Sequence, residues 1–221
     1  MRYGDRVAII HEAEDETREV TFRRLNILSD RLALGLINLG VKKEDAMALL
    51  EYNSPEYIVS VYGVTKVGAI VTPLNTMVKK DEAEYQIKDS EAKISIVNRT
   101  LFDVVASIKN RAKLEKVIVT GENAPPETIP FNLLLEEEYS LKEHEALDRL
   151  GETISPKEDL AILQYTAGTT GFPKGVMLTH YNLVVHQIQA SNVMQIMESD
   201  ILLNHLPFFH IYGLNTCMAT A

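Results

Sequence analysis

The sequence predicts an α/β fold with a mainly parallel sheet and flanking helices. Short apolar runs typical of buried strands alternate with amphipathic segments typical of helices. Cap and turn residues separate them at short intervals, so strand–helix–strand crossovers repeat along the chain. A loop rich in glycine and threonine follows one buried strand, and the ends of parallel strands are where such folds bind ligands.

The N-terminal region predicts a hairpin followed by a helix. Residues 7–10 and 19–22 are strand-like and flank the polar stretch EAEDET, which suits a turn. From residue 21 onward leucines recur at helical spacing, and Gly40 stands where a C-terminal cap belongs.

The next helix has a complete start signal. Ser54 can cap it, Pro55 suits its first turn, and Glu56 adds an acidic first turn, so we expect a helix from here to about Gly68. The other predicted elements are strands at 46–50, 69–72, 94–97 and 117–120, and helices at 80–89, 101–110 and 136–152.

The glycine-threonine loop, residues 164–175, is predicted to connect a strand to a helix. The strand is DLAIL at residues 159–163. The helix is expected within VMLTHYNLVVHQIQA, residues 176–190, with Thr179 or Asn182 near its cap.

The composition of the loop favours an anionic ligand. Glycine permits positive φ and close backbone approach, threonine hydroxyls can donate hydrogen bonds, and lysine adds a positive charge. No carboxylate lies between residues 160 and 198. The contributing residues are Gly168, Gly171, Gly175, Thr166, Thr169, Thr170 and Lys174.

The loop does not fit the Walker phosphate-binding motif. Gly168 and Lys174 have the required separation. However, Pro173 precedes the lysine and has no N–H, and Gly175 follows it where a Mg²⁺-binding hydroxyl is needed. A Walker-type hydrolase would need a variant loop.

Three segments resemble the AMP-forming, adenylate-making enzymes, which include acyl-CoA synthetases, firefly luciferase and peptide-synthetase adenylation domains. YTAGTTGFPKG at residues 165–175 resembles the family's phosphate loop, and LPFFHIYG at 206–213 resembles the motif that follows it. VGAIVTPLN at 67–75 is similar to an early strand and turn. Ala167 departs from the serine found in many members.

The resemblance implies an ATP-dependent acid–CoA ligase that makes an acyl-adenylate and then a thioester. Its substrates would be a small carboxylic acid, ATP and CoA, with Mg²⁺ as the metal ion. Lys174 and His210 would be catalytic, with His210 beside the carboxylate. The phosphates would be bound by Thr166, Ala167, Gly168, Thr169, Thr170, Gly171 and Lys174.

Within the family, the sequence PFFHIYG favours a ligase for medium or long-chain fatty acids. Aryl acids, as in coumarate-type ligases, are the next choice. A non-catalytic phosphate-binding module and a nucleotide hydrolase remain open as different classes. Five histidines have no convincing metal-ligand spacing: His11, His144, His180, His186 and His205.

The resemblance also implies that residues 1–221 are a partial N-terminal adenylation domain without the C-terminal domain. The adenine, ribose and Mg²⁺ sites of the family would follow this chain, which is expected to be inactive alone. The apolar stretch at 208–221 is expected to be disordered or buried against another copy, so self-association is possible.

Composition limits the partners and the compartment. The net charge of -9 argues against nucleic acid. The single cysteine, Cys217, fits a reducing, cytoplasmic location, and the start of the chain has no apolar leader. The longest apolar stretch contains Lys66 and is too short for a transmembrane helix.

Overall fold

The N-terminal hairpin forms a small sheet of its own. Strand β1 (Val7–Glu12) pairs antiparallel with β2 (Thr17–Thr21), as the sequence predicts. The structure, a computed structural model, describes residues 3–13, 16–136, 138–166 and 171–219.

A seven-stranded sheet forms the centre of the fold. Its strands are β3 (Ala46–Leu50), β4 (Ile70–Pro73), β5 (Ile94–Asn98), β6 (Lys116–Thr120), β7 (Ile129–Pro130), β8 (Leu160–Thr166) and β9 (Lys174–Thr179). Their order in the sheet is β7-β6-β5-β3-β4-β8-β9, and every neighbouring pair is parallel except β8 with β9. The predicted mainly parallel sheet is therefore confirmed.

Helices connect the parallel strands and cover both faces of the sheet. None of those in the described ranges is long and apolar enough to cross a membrane. They are α1 (Phe22–Asn38), α2 (Pro55–Lys66), α3 (Lys80–Asp89), α4 (Phe102–Ile108), α5 (Phe131–Glu136), α6 (Leu141–Glu152) and α7 (His180–Met194), with a short 3₁₀ turn at Arg99–Leu101 and a π-helix at Tyr212–Met218.

Side-chain caps fix several helix starts. The Ser54 hydroxyl accepts a hydrogen bond from the Tyr57 amide, which confirms the predicted cap of α2. The helix predicted over 136–152 starts later than expected, at Leu141, and only residue 136 of that range belongs to α5. Ser140 and Glu143 form a reciprocal capping box, and this local pairing starts α6 separately from α5.

The core has two apolar layers, one on each face of the sheet. In β3, Met47 and Leu49 point to the layer that contains α1 and α2. Ala48 and Leu50 point to the layer that contains α3 and α4. Burial of both faces explains why β3, β4, β5 and β6 are continuous apolar runs in the sequence.

A buried carboxylate joins three strand ends at the carboxyl edge of the sheet. Glu51 follows β3 and is only 1% exposed. Its Oε1 accepts from the Tyr52 amide at 2.8 Å and from Asn98 Nδ2 at 2.7 Å, and its Oε2 accepts from the Thr120 hydroxyl. Burial raises the pKa of Glu51, and these hydrogen bonds partly oppose that rise.

The connection after the glycine-threonine loop differs from the prediction. The loop joins two antiparallel strands, because Lys174–Thr179 forms β9 along the edge of β8. The helix starts at His180, where Thr179 accepts from the Asn182 amide as its N-cap. Pairing with β8 holds residues 174–179 as an edge strand, and such pairing with another segment is not visible as helical periodicity.

The end of the described chain packs against its own core. Phe208, Leu214 and Met218 are buried within the layer that includes α1 and α2. The expectation that this stretch is disordered or covered by another copy is therefore wrong as far as residue 219. Its apolar side chains find their partners within the chain.

The raised pKa of Glu51 predicts a pH-dependent stability. A carboxyl group whose folded pKa is raised stabilises most below its ordinary value of 4.5, and this contribution is lost as pH rises through the folded pKa. Wild type should therefore lose free energy of unfolding as the pH rises from about 5 to about 8, whereas Glu51→Gln, which cannot ionise at this position, should not show this loss. Urea unfolding at both pH values measures this difference.

Glu51→Leu is the contrasting variant, since it leaves the Asn98 amide and the Thr120 hydroxyl without their buried acceptor. Its free energy of unfolding should be lower than that of wild type by about 2 kcal/mol or more at either pH. If the free energies of unfolding of wild type and Glu51→Gln depended equally on pH, the raised pKa of Glu51 would be contradicted.

Candidate functional site

The β8–β9 hairpin places two predicted site residues opposite each other. Thr166 and Lys174 form the last pair of the antiparallel ladder, and both are exposed. Directly opposed residues in such a pair project from the same face. A hydroxyl and an ammonium group therefore stand together at the base of the loop.

Part of the predicted phosphate loop is described by the structure and part is not. Gly171 is exposed, has a φ of 136°, and has open space where a Cβ would be. That conformation is the one for which the sequence predicts glycine. The predicted residues Ala167, Gly168, Thr169 and Thr170 lie outside the described residues.

The opposite face of the hairpin is anchored to α3. Tyr165 pairs with Gly175, and its hydroxyl donates to Asp89 Oδ2 at 2.6 Å. A Cβ on Gly175 would lie 2.9 Å from Leu163 Cδ1, so the glycine lets the strands close over these side chains. Burial, the hydrogen bond and the negative charge of Asp89 all raise the pKa of Tyr165, which keeps the phenol protonated.

A second contact holds the far side of the loop. The Phe172 ring stacks on Tyr85 of α3 with centroids 4.9 Å apart and planes at 23°, although Phe172 is 74% exposed. Tyr85 also meets Tyr165 edge-on at 6.5 Å. Tyr85 and Asp89 were not predicted as site residues, because their spacing of four on one helix does not indicate what covers them.

The residues just before His210 form a turn that leads into the π-helix. The Tyr212 amide donates to His210 Nδ1 at 3.2 Å, and the His210 amide donates to the Pro207 carbonyl at 3.1 Å. Since Nδ1 accepts a hydrogen bond, the neutral ring carries its proton on Nε2. The exposed imidazole thus has a donor available on its outer edge.

Gln164 connects the loop strand to the histidine turn. Its Nε2 donates to the Phe209 carbonyl at 3.1 Å. Gln164 and Thr166 are two residues apart in β8, so they project from the same face. The face of the hairpin that carries Thr166 and Lys174 is therefore the face that meets the turn before His210. Gln164 lies inside the predicted loop but had no assigned role.

An open, mostly apolar cavity of about 220 Å³ lies between α7 and the π-helix. At its edge Asn215 Nδ2 lies 3.0 Å from His186 Nδ1, and Asn215 Oδ1 accepts from Gln187 Nε2 at 2.9 Å. The lining residues are Leu178, Asn182, Leu183, His186, Ile211, Tyr212, Asn215 and Thr216.

The histidines of α7 have separate environments. His186 contacts Asn215, whereas His180 is partly buried, and burial lowers its pKa. Across the described ranges, no three His, Cys, Asp or Glu side chains are grouped so that they could bind a metal ion.

The fold and site together define the class of protein. It is an α/β protein whose cationic, glycine-containing loop joins the last parallel strand to an antiparallel edge strand, beside an ordered histidine turn. The AMP-binding enzyme family matches residues 1–221. The chain belongs to this family, and the resemblance drawn from the three motifs is confirmed.

Curated relatives include ligases for different acids. The chain is 34% identical over 221 residues to 4-coumarate–CoA ligase 1 of Petroselinum crispum, covering 98% of this chain and 38% of that ligase. It is 31% identical over 242 residues to the long-chain-fatty-acid–CoA ligase of Bacillus subtilis (strain 168), covering 98% and 42% respectively. The chain thus spans well under half the length of these relatives.

Solved structures show the same arrangement of elements. An anthranilate CoA ligase in complex with anthranoyl-AMP matches with a TM-score of 0.84 at 28% identity, covering 99% of this chain and 40% of that one. A long-chain-fatty-acid-CoA ligase from Archaeoglobus fulgidus matches with a TM-score of 0.78 at 26% identity, covering 97% and 42%.

Close backbone approach at Gly213 predicts a sharp effect of substitution. An added Cβ would lie 2.8 Å from the Pro207 carbonyl carbon and closer still to its oxygen, and backbone atoms cannot rotate away. Gly213→Ala should therefore lower the free energy of unfolding by about 2 kcal/mol or more. Urea unfolding measures it.

Gly151→Ala in α6 is the matched control, because nothing lies within 4 Å of its added Cβ. It should stabilise the protein by about 0.4–1 kcal/mol, since alanine restricts the unfolded chain. Similar changes for both variants would contradict the close packing at Gly213.

Proposed function

We propose that this chain is the N-terminal part of the adenylation domain of an AMP-forming acid–CoA ligase. The whole enzyme activates a carboxylic acid with ATP as an acyl-adenylate and then transfers the acyl group to CoA. Residues 1–221 supply the phosphate loop at 164–175 and the histidine turn, and the remaining domain and the C-terminal domain lie outside this chain.

The pairing of Thr166 with Lys174 carries the proposal. A protein of the AMP-binding enzyme family presents a hydroxyl and an ammonium group on one face of a hairpin, and the same face meets the turn before His210. The hairpin and the helix that follows it, residues 160–197, contain no carboxylate. This donor set suits the phosphates of ATP and a carboxylate beside them.

In the first step, a carboxylate oxygen of the acid attacks the α-phosphorus of ATP. The new O–P bond forms as the bond to the β-phosphate oxygen breaks, and pyrophosphate leaves. Lys174 and Thr166 donate to the β- and γ-phosphates and hold the leaving group in line with the attacking oxygen. The positive charge of Lys174 thereby reduces the repulsion between the carboxylate of the acid and the phosphates of ATP.

His210 orients the acid in this scheme. Its Nε2–H donates to the carboxylate or to the new phosphoester oxygen, while Tyr212 holds the ring through Nδ1. The cavity between α7 and the π-helix begins at Ile211 and Tyr212, directly after His210. The apolar part of the acid would lie there.

In the second step, the CoA thiolate attacks the acyl carbonyl. A C–S bond forms, the C–O bond to the phosphate breaks, and AMP leaves. We assign no residue of this chain to CoA. No three Asp, Glu, His or Cys side chains of the described residues are grouped around a possible metal site, and we assign no residue of this chain to Mg²⁺.

A medium or long-chain fatty acid is our first choice for the acid, and an aryl acid such as a coumarate is the alternative. The PFFHIYG segment supports the first. The similarity to 4-coumarate–CoA ligase 1 and to the anthranilate ligase supports the second. Parallel assays with palmitate and 4-coumarate separate them.

We also propose a cytoplasmic location, on the ground of the single free Cys217. Self-association of the chain remains a prediction. The exposed apolar side chains of α7 that would support it include Val184, Ile188 and Val193.

The reaction products test the proposed activity. Given ATP, Mg²⁺, CoA and the acid, the complete ligase should release AMP and pyrophosphate in equal amounts, as resolved by nucleotide chromatography. ADP and phosphate would indicate a hydrolase instead. Binding of ATP without any product would indicate a phosphate-binding module.

Lys174→Ala in the complete ligase should slow acid-dependent pyrophosphate exchange at least tenfold. One charge-assisted hydrogen bond contributes about 1.5–3 kcal/mol, which corresponds to about 10- to 100-fold in rate. Thr170→Ala is expected to act in the same direction. The melting temperature should hardly change, because Lys174 is exposed at the end of a hairpin.

Lys142→Ala, an exposed lysine of α6, is the matched control and should leave both quantities unchanged. A melting temperature that falls in proportion to the activity of Lys174→Ala would point to a structural role for the loop.

A further inference from the structure

The turn before His210 has no regular secondary structure of its own. Residues 201–210 contain neither helix nor strand. Backbone N–H and C=O groups in such a segment need partners from elsewhere when they are buried. Three side chains that are distant in sequence supply them: Asn53, Tyr57 and Gln164.

Asn53 contacts the turn with both ends of its carboxamide. Its Nδ2 donates to the Leu206 carbonyl at 2.8 Å, and its Oδ1 accepts from the Phe208 amide at 2.7 Å. These two bonds bracket the Pro207 residue. A side chain that donates and accepts at once sets both the position and the orientation of the peptide between them.

Tyr57 adds a third bond from the first turn of α2. It is fully buried, and its hydroxyl donates to the Phe208 carbonyl at 2.9 Å. Its ring also packs on the Phe208 ring with centroids 5.4 Å apart. Burial raises the pKa of Tyr57, so the phenol stays a hydrogen-bond donor.

These bonds determine where His210 stands. The imidazole is exposed and is oriented locally by the Tyr212 amide, so its location depends on the backbone that precedes it. Gln164 ties the next carbonyl, that of Phe209, to the strand that carries Thr166. The histidine turn is thus held from α2 on one side and from β8 on the other.

We propose that Asn53 is a positioning residue of the ligase reaction, which acts with Tyr57 by holding the Leu206–Phe208 backbone and thereby placing His210 against the acid. This inference rests on the proposed function. It assigns to the segment between β3 and α2 a role in acid activation, although none of its side chains needs to touch the substrate.

Steady-state kinetics of the complete ligase test the proposal. Asn53→Leu, which is close in size but cannot form either bond, should lower kcat/KM for the acid at least tenfold. KM for ATP should stay within about twofold, because Lys174 and Thr166 are not contacted by Asn53. Tyr57→Phe removes a single hydroxyl and should lower the same parameter at least threefold, which provides a milder variant if Asn53→Leu folds poorly.

Thr21→Ala is the matched control, since it removes the N-cap of α1 and so destabilises the protein away from the turn. It should leave kcat/KM for the acid unchanged. If Asn53→Leu and Tyr57→Phe changed acid and ATP parameters no more than Thr21→Ala does, the positioning role would be overturned.

Amide hydrogen exchange in the 221-residue chain gives a readout that does not depend on the reaction. In Asn53→Leu the Phe208 amide should exchange at least tenfold faster than in Thr21→Ala, and the His210 ring signals should shift in the nuclear magnetic resonance spectrum. If the exchange rate of the Phe208 amide were unchanged, the proposal that Asn53 holds the Leu206–Phe208 backbone would be overturned even in an active enzyme. If wild-type ligase shows no acid-dependent pyrophosphate exchange, the proposed function fails while this measurement still decides whether Asn53 orders the turn.

Discussion

The register of the β8–β9 ladder is the constraint on which the site depends. It sets Thr166 opposite Lys174 on the face toward the histidine turn, and Tyr165 on the face toward α3. A slip of one residue would exchange these faces, because strand side chains alternate. A slip that placed a residue with a Cβ at the Gly175 position would bring that Cβ to 2.9 Å from Leu163 Cδ1 and displace the leucine side chain.

The histidine turn depends on a different kind of interaction. Side-chain hydrogen bonds from Asn53, Tyr57 and Gln164 replace the ladder or helix that would otherwise order its backbone. Each such bond contributes about 0.5–1.5 kcal/mol net, so the turn is ordered by several moderate contacts. Its geometry therefore follows from how α2 and β8 are packed in the sheet.

The electrostatics of the site are local. The chain carries a net charge of -9, which would repel anions at long range. At physiological ionic strength the screening length is about 8 Å, so distant carboxylates act weakly on the loop. Lys174 stands in a hairpin without carboxylates and beside hydroxyl donors, and these near groups decide which charge is attracted.

Local patterns in the sequence determined most elements and the family. The cap at Ser54 and the helix Lys80–Asp89 were predicted correctly, because they depend on residues within one or two turns. The phosphate-loop motif was recognisable for the same reason. Only the tertiary structure decided that residues 174–179 form a strand, that Phe172 stacks on Tyr85, and that Asn53 holds the histidine turn. Those contacts join residues far apart in sequence, and no local periodicity records which distant partner completes a backbone hydrogen bond.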